Sequence, residues 1–409
     1  MSEQWPLFGQ NAAHTGYSST LSRPKWPVVE QWRHDLGGKA AWSAPVVDTG
    51  GNVFVHAKMT QIDAPNFRAI GPDGTLNWAL KTSAGMGPYA PAPTVTVDRV
   101  ILPDTPDAWI VDKATGEVLY KTQLHPSGGR SAYPVVTDGR IHTGFSAFSL
   151  ETGDQVWSAE IEEPKWAVVQ PDGSEFVKNA GPTGIAPAVS DGTVYVAGTL
   201  YDGETRFYRE DAVTSEQQSS LLHSGEIAGS YRDEYDEWGH VHALDADTGS
   251  PEWTRKFDTP VRDRTPPVTT ERTVYVVDTE PRLRALERTS GRELWNVAFD
   301  TETLGGWRPA VANDRVLVCA GNELHAFDAH DGTETWNTNF DTQLAGPPAL
   351  ADGVVHVSTS DGTVAAIDFD GTRRWELSVG ESLRTGPVIT NSRIYVAGRE
   401  VVCLASRAD

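Results

Sequence analysis

The sequence predicts an all-β fold, a closed ring of eight four-stranded sheets, and three observations predict it. A short strand, a polar turn and a strand closing on an aromatic residue recur through the chain. A proline-led strand–turn–strand recurs between those copies. The last repeat lacks its fourth strand, and an unassigned strand stands near the N-terminus.

The first unit is seen in "HALDADTGSPEW", His242 to Trp253. Its two aspartates could open a calcium loop, with Asp245 and Asp247 in the first two ligand positions. Such a loop needs glycine at position six and a bidentate Glu at position twelve. Those positions hold Ser250 and Lys256, so the loop fails on geometry and on charge. The architectural reading is stronger because the stretch recurs. "RAIGPDGTLNW", "WIVDKATGEVLY", "AFSLETGDQVW", "RALERTSGRELW", "HAFDAHDGTETW" and "AAIDFDGTRRW" are further copies. The copies close on Trp78, Tyr120, Trp157, Trp253, Trp295, Trp336 and Trp375. Most intervals lie near forty residues, the spacing of propeller blades.

The second unit is a proline, six residues (seven in the Pro45 copy), then Val or Ile, as in "PTVTVDRV" and "PAVSDGTV". Blades therefore begin near residues 45, 93, 134, 187, 267, 309, 348 and 387. Asp-Gly or an equivalent supplies the tight turn. Proline suits the first residue of a strand, where a missing N–H costs least. The eighth copy runs out at "VVCLASRAD" without a fourth strand. "VVEQWRHDL" supplies it from the other end, as a closing strand around residues 28–36 that carries Trp32. Closure removes exposed sheet edges. The expectation is one eight-bladed β-propeller domain over residues 1–409.

The pattern A-[LFI]-D-x-x-T-G-x-x-x-W resembles the tryptophan-docking repeat of pyrroloquinoline-quinone-type propellers, from about Trp32 to Leu404. That superfamily includes quinoprotein dehydrogenases and BamB-like assembly-factor propellers. The resemblance implies that Trp32, Trp78, Tyr120, Trp157, Trp253, Trp295, Trp336 and Trp375 lock adjacent blades together. It speaks for fold more than for chemistry.

Acidic residues number 56 and basic ones 34, a formal net charge of −22, and only nine of the basic residues are Lys. An acidic, Arg-over-Lys surface resembles proteins of salt-loving archaea, and it disfavours nonspecific nucleic-acid binding. Cys319 and Cys403 both lie on apolar strands and read as small buried hydrophobes rather than a disulfide or catalytic pair. There is no secretory apolar region and no 18-residue apolar run, so the expectation is a cytoplasmic protein, or one whose leader has been removed.

Function is sought where the repeat breaks. "EEPKWAVVQPDGSEFVKNAGPTG" interrupts the passage from blade three to blade four. A second insertion, about residues 200–238, falls between the second and third strands of blade four. Smaller expansions, "HAKMTQIDAPNF" and "PDTPDAW", occupy that same place in blades one and two. All four emerge on one face, where binding loops concentrate. That face also holds the channel mouth. The segments before the repeat prolines place Trp42, Tyr89, Arg130, Tyr133, Arg264, Trp307, Arg308 and Arg384 there. Aromatic planes and guanidinium forks suit a planar anion or a carboxylate-bearing peptide. The same residues would equally serve to cap the channel, with the arginines paired to acidic neighbours.

"YRDEYDEWGHVH" brings His240 and His242 to one side of a strand, near Asp236. That could ligate zinc. However, the His242 slot holds His325, Arg284 and Ala365 in other blades, and the acidic run reads as a solvated loop.

The resemblance implies two functions. The BamB-like branch implies a non-catalytic scaffold binding a protein or peptide, with no cofactor. The dehydrogenase branch implies pyrroloquinoline quinone over a tryptophan floor, calcium and a catalytic aspartate. Many alcohol-oxidising members carry adjacent cysteines, which are absent here, and their calcium ligands find no match residue by residue. No nucleophile elbow, zinc helix motif or phosphate loop supports a hydrolase. The expectation is the scaffold, acting through the insertion-bearing face.

Overall fold

A short strand with one apolar face needs a second sheet to cover it, and the repeats supply that cover in sequence order. In the computed structural model, residues 6–407 are described except 8, 19–20, 38–39, 42, 58–63, 83–91, 105–106, 125–132, 160–164, 170–171, 180–186, 202–203, 210–229, 233–236, 262–264, 300–307 and 391. Eight four-stranded antiparallel blades are arranged as a propeller. Their inner strands are Val46–Val47, Thr94–Val95, Val135–Thr137, Ala188–Ser190, Val268–Thr269, Ala310–Ala312, Ala349–Ala351 and Val388–Thr390. No described residue is helical, so no helix there is long and apolar enough to cross a membrane.

Inner and middle strands are buried on both faces. In blade 7, Val354–Ser358 is buried throughout. The outer strand Arg373–Ser378 alternates instead, burying Trp375 while Arg373, Arg374 and Glu376 face solvent. In strand register, Trp78, Trp157, Trp253, Trp295, Trp336 and Trp375 each lie opposite an alanine: Ala69, Ala147, Ala243, Ala285, Ala326 and Ala366. A β-bulge follows each pair, and the small residue leaves room beside the indole. Trp32 lies opposite Cys403, which takes the alanine's slot in blade 8. Both cysteines are buried, free thiols.

Seven of the eight aromatics, all but Trp375, then reach across to the next blade. The indole Nε1 of Trp32, Trp78, Trp157, Trp253, Trp295 and Trp336 donates to the carbonyl of Pro72, Lys113, Ala246, Arg288, Ala329 and Phe369, at 2.8–3.0 Å. The Tyr120 hydroxyl donates to the Leu150 carbonyl in the same way. The rings lie on the turn glycines. A Cβ placed on Gly249 would sit 2.5 Å from the Trp157 ring, and one on Gly291 2.5 Å from Trp253. Both glycines have positive φ, as the turn requires. Asp245 spends its carboxylate within this turn, accepting from the amides of Asp247 and Thr248 and from the Thr248 hydroxyl. Those donors, the hydroxyl first, hold it below the usual carboxylate range.

Blade 8 is closed by the N-terminal strand Val28–Asp35, which pairs with Glu400–Ser406. The inner strands of blades 1 and 8 lie side by side. No covalent turn joins the third and fourth strands of blade 8, so blade 7 has no turn glycine to dock on. Trp26 stacks on Trp375 there instead, with ring centroids 5.7 Å apart.

Candidate functional site

The two large breaks in the repeat form one structure. Lys165–Val169 and Glu175–Asn179, from the first, pair as an antiparallel hairpin. Glu204–Arg209 and Ser230–Arg232, from the second, pair likewise. Lys165–Val169 and Glu204–Arg209 then pair in parallel, making a ninth four-stranded sheet outside the eight blades. Two elongated strands of blade 4, Thr193–Tyr201 and Glu237–Asp245, lead up to it. Each is nine residues long, whereas the second strands of the other blades have three to six. The extra length lies at the connection between second and third strands, which fixes the face on which the sheet stands. The sequence reading placed both insertions on this face and assigned a sheet to neither.

Of the residues predicted at the channel mouth, Trp42, Tyr89, Arg130, Arg264 and Trp307 lie outside the described residues. Tyr133 is half-buried and Arg384 is exposed. Arg308 is only 2% exposed, and its Nη1 donates to the carbonyls of His14 (3.2 Å) and Pro309 (3.3 Å). Burial pushes its guanidinium below the usual arginine range. Arg308 is therefore turned inward onto the chain's own N-terminal segment.

His240 and His242 do share one side of their strand, with ring centroids 4.7 Å apart. Phe145 packs on both, stacked on His240 at 6.0 Å and edge-on to His242 at 5.3 Å. The Thr254 hydroxyl lies 2.9 Å from His242 Nδ1. Burial drives His240 well below the usual histidine range and His242 down to about 4. Two neutral rings in an aromatic pocket are the result. Asp236 lies outside the described residues, which contain no cluster of three or more metal-ligating groups. His242 sits opposite Thr254 as Arg284 does opposite Asn296 and His325 opposite Asn337, so the slot is a repeat position filled in different ways.

A groove of about 540 Å³ runs between blades 4 and 5, with Arg255, Lys256, Arg282 and Arg284 facing Glu280 and Glu293. Its most buried cation is committed to the protein. Arg284 donates from Nε to Asp278 (3.0 Å), from Nη1 to Glu293 (2.8 Å) and from Nη2 to the Thr259 hydroxyl (3.0 Å).

A family model described as outer membrane protein assembly factor BamB matches residues 29–179, 237–318 and 279–409. The chain belongs to this family. A BamB of Kangiella koreensis is 28% identical over 200 residues, covering 45% of this chain and 46% of that protein. The match thus spans about half the length of that relative. Among solved structures, BamB from Moraxella catarrhalis superposes with a TM-score of 0.58 at 13% identity, over 92% of this chain and 99% of that one. A europium-containing methanol dehydrogenase superposes with a TM-score of 0.70 at 12% identity, over 98% of each chain. At such identities both likenesses speak to fold alone.

The dehydrogenase likeness raises the question of a quinone and a metal ion in this BamB-family ring. The described rim of the channel offers inner-strand amides and small or apolar side chains, and five of those amides are taken by the N-terminal segment. Calcium needs carboxylate oxygens, and the described residues hold no cluster of three or more metal-ligating groups.

Proposed function

We propose that this protein is a non-catalytic scaffold that holds a protein or peptide partner on its insertion-bearing face. The observation that carries this reading is the ninth sheet. Two segments that break the repeat separately would be expected to drift as separate loops, yet their backbones pair with each other. Material added outside a closed ring contributes nothing to closing it, so its use lies elsewhere. Its terminal strands, Glu175–Asn179 and Ser230–Arg232, each have one strand partner among the described residues. The Kangiella koreensis relative is named as an outer membrane protein assembly factor, and a role in assembly through protein contacts is what we carry over from it.

The test replaces residues 160–186 and 202–236 by turns of the length found in other blades. The ring should still melt cooperatively, and the variant should lose a partner that the unaltered protein retains. Loss of the ring itself, or undiminished partner binding, would count against the proposal.

A quinoprotein dehydrogenase is the second reading, raised by the fold shared with a methanol dehydrogenase. Titration with pyrroloquinoline quinone and calcium in molar salt separates the two, followed by tryptophan quenching and dye-linked alcohol oxidation. The scaffold reading expects neither saturable quenching nor turnover.

A further inference from the structure

An inner strand is paired within its blade on one side only, so its other edge turns backbone N–H groups toward the ring axis. Five of these are taken by carbonyls of the N-terminal segment. Val95 donates to Pro6 (2.7 Å), Val189 to Ala12 (2.7 Å), Thr269 to Ala13 (3.0 Å), Val311 to Thr15 (2.8 Å) and Leu350 to Gly16 (2.9 Å). Every donor is the second residue after a repeat proline: Pro93, Pro187, Pro267, Pro309 and Pro348. One backbone position per repeat, in blades 2, 4, 5, 6 and 7, thus contacts the segment in chain order. Tyr17–Ser18 continues as a parallel strand on Leu350 and Ala351.

Side chains refine the fit. His14 Nε2 lies 2.8 Å from the Pro187 carbonyl, and Arg308 reaches the carbonyl of His14. The segment also fixes its own shape. Asn11 accepts the Thr15 amide (3.1 Å) and donates to its hydroxyl (2.6 Å), and the Gly16 amide donates to Gly9 (2.9 Å). A Cβ on Gly16 would lie 2.6 Å from Arg308 Nη1 and 3.0 Å from Ala310 Cβ, at a φ of +65°. The rim is therefore shaped for small residues. The segment leaves by the hairpin face, where the Ser22 carbonyl accepts from Ser392 at 3.0 Å, opposite the face that bears the ninth sheet. Beyond it, Lys25 and Trp26 are exposed.

We propose that the inner rim of the channel is a binding site for a turning, small-residue main chain, and that the segment ending at Ser18 is its resident ligand. The contacts repeat at one position per blade and are mostly backbone to backbone, which is how sheet edges take up peptides. Covalent attachment through residues 21–27 only raises the ligand's local concentration. The site lies on inner-strand edges and uses no residue of the ninth sheet, so its test does not depend on the scaffold reading.

The experiment inserts a protease-recognition sequence between Lys25 and Trp26 of the full chain and cuts it after folding. The N-terminal fragment is expected to co-elute with the ring. It should exchange with a labelled synthetic peptide of residues 1–25. A peptide carrying Gly16→Val should compete at least about tenfold less well. Three results would overturn the proposal. The fragment could depart at once from a ring that keeps its circular dichroism and melting temperature. The ring could unfold as the fragment leaves, which would make the segment part of the core. The fragment could stay but never exchange with excess peptide.

Discussion

Gly249 shows how one atom decides a contact. Its φ is +73°, and an added Cβ would fall 2.5 Å from the Trp157 ring. Gly192 has nearly the same φ, +78°, with nothing within 4 Å of the added atom. Alanine at either position suffers the left-handed strain of about 1–2 kcal/mol. Only at Gly249 must the indole also retreat from its bond to Ala246. Gly249→Ala should therefore cost roughly 1–3 kcal/mol more than Gly192→Ala in urea unfolding. Equal costs would mean that the ring-on-glycine contact is energetically idle. The family resemblance implied that these tryptophans lock adjacent blades, but the glycine under the ring was not read from the sequence. What a single copy could not show was the partner: the ring of one repeat meets the glycine of the next. The arginines were less legible. Arg308 directly precedes its proline and Arg384 stands three residues before its own, yet both were grouped at the channel mouth; one is buried against the N-terminal segment and the other exposed.

At the scale of elements, the ninth sheet was the main surprise. "KWAVVQPDGSEFVKN" carries a hairpin signal, two short strands about Pro-Asp-Gly, that its position in a repeat break obscured. Its pairing with Glu204–Arg209 is non-local and parallel, and no periodicity along the chain encodes such a partner. The joint between blades 3 and 4, beneath this sheet, carries a pH prediction. Burial pushes His142 and His242 each down to about 4. Unfolded histidine titrates near 6.5, so the unfolded chain binds more protons below that pH. The stability contributed by keeping these rings neutral is complete above about pH 6.5 and is lost as pH falls toward 4. Each histidine should add about 1.4 kcal/mol per pH unit to the acid slope. In His142→Leu, the slope of unfolding free energy between pH 6 and 4.5 should fall by one such increment. An unchanged slope would show that His142 does not titrate on unfolding.

Across the whole molecule, closure and charge oppose each other. The ring closes through the pairing of Val28–Asp35 with Glu400–Ser406, while a net charge of −22 pushes the blades apart. Screening shortens the reach of that repulsion from about 10 Å at 0.1 M salt to about 3 Å at 1 M. The melting temperature should rise with potassium chloride over this range. A fall would place the weight on ion pairs such as Arg284 with Asp278 and Glu293 instead. The blade count and the closing strand were legible in the sequence because each repeat has the same strand order. The path of the N-terminal segment was not. It binds mostly through backbone groups, which leave no side-chain pattern. The scaffold assignment is tested most directly by photo-crosslinking in the cells that make the protein. A photoreactive residue would be placed at Lys178 in the ninth sheet and, separately, at Gly353 in the opposite-face hairpin of blade 7. The account predicts a defined protein adduct from position 178 and none from position 353. The same adducts from both positions, or none from position 178, would contradict it.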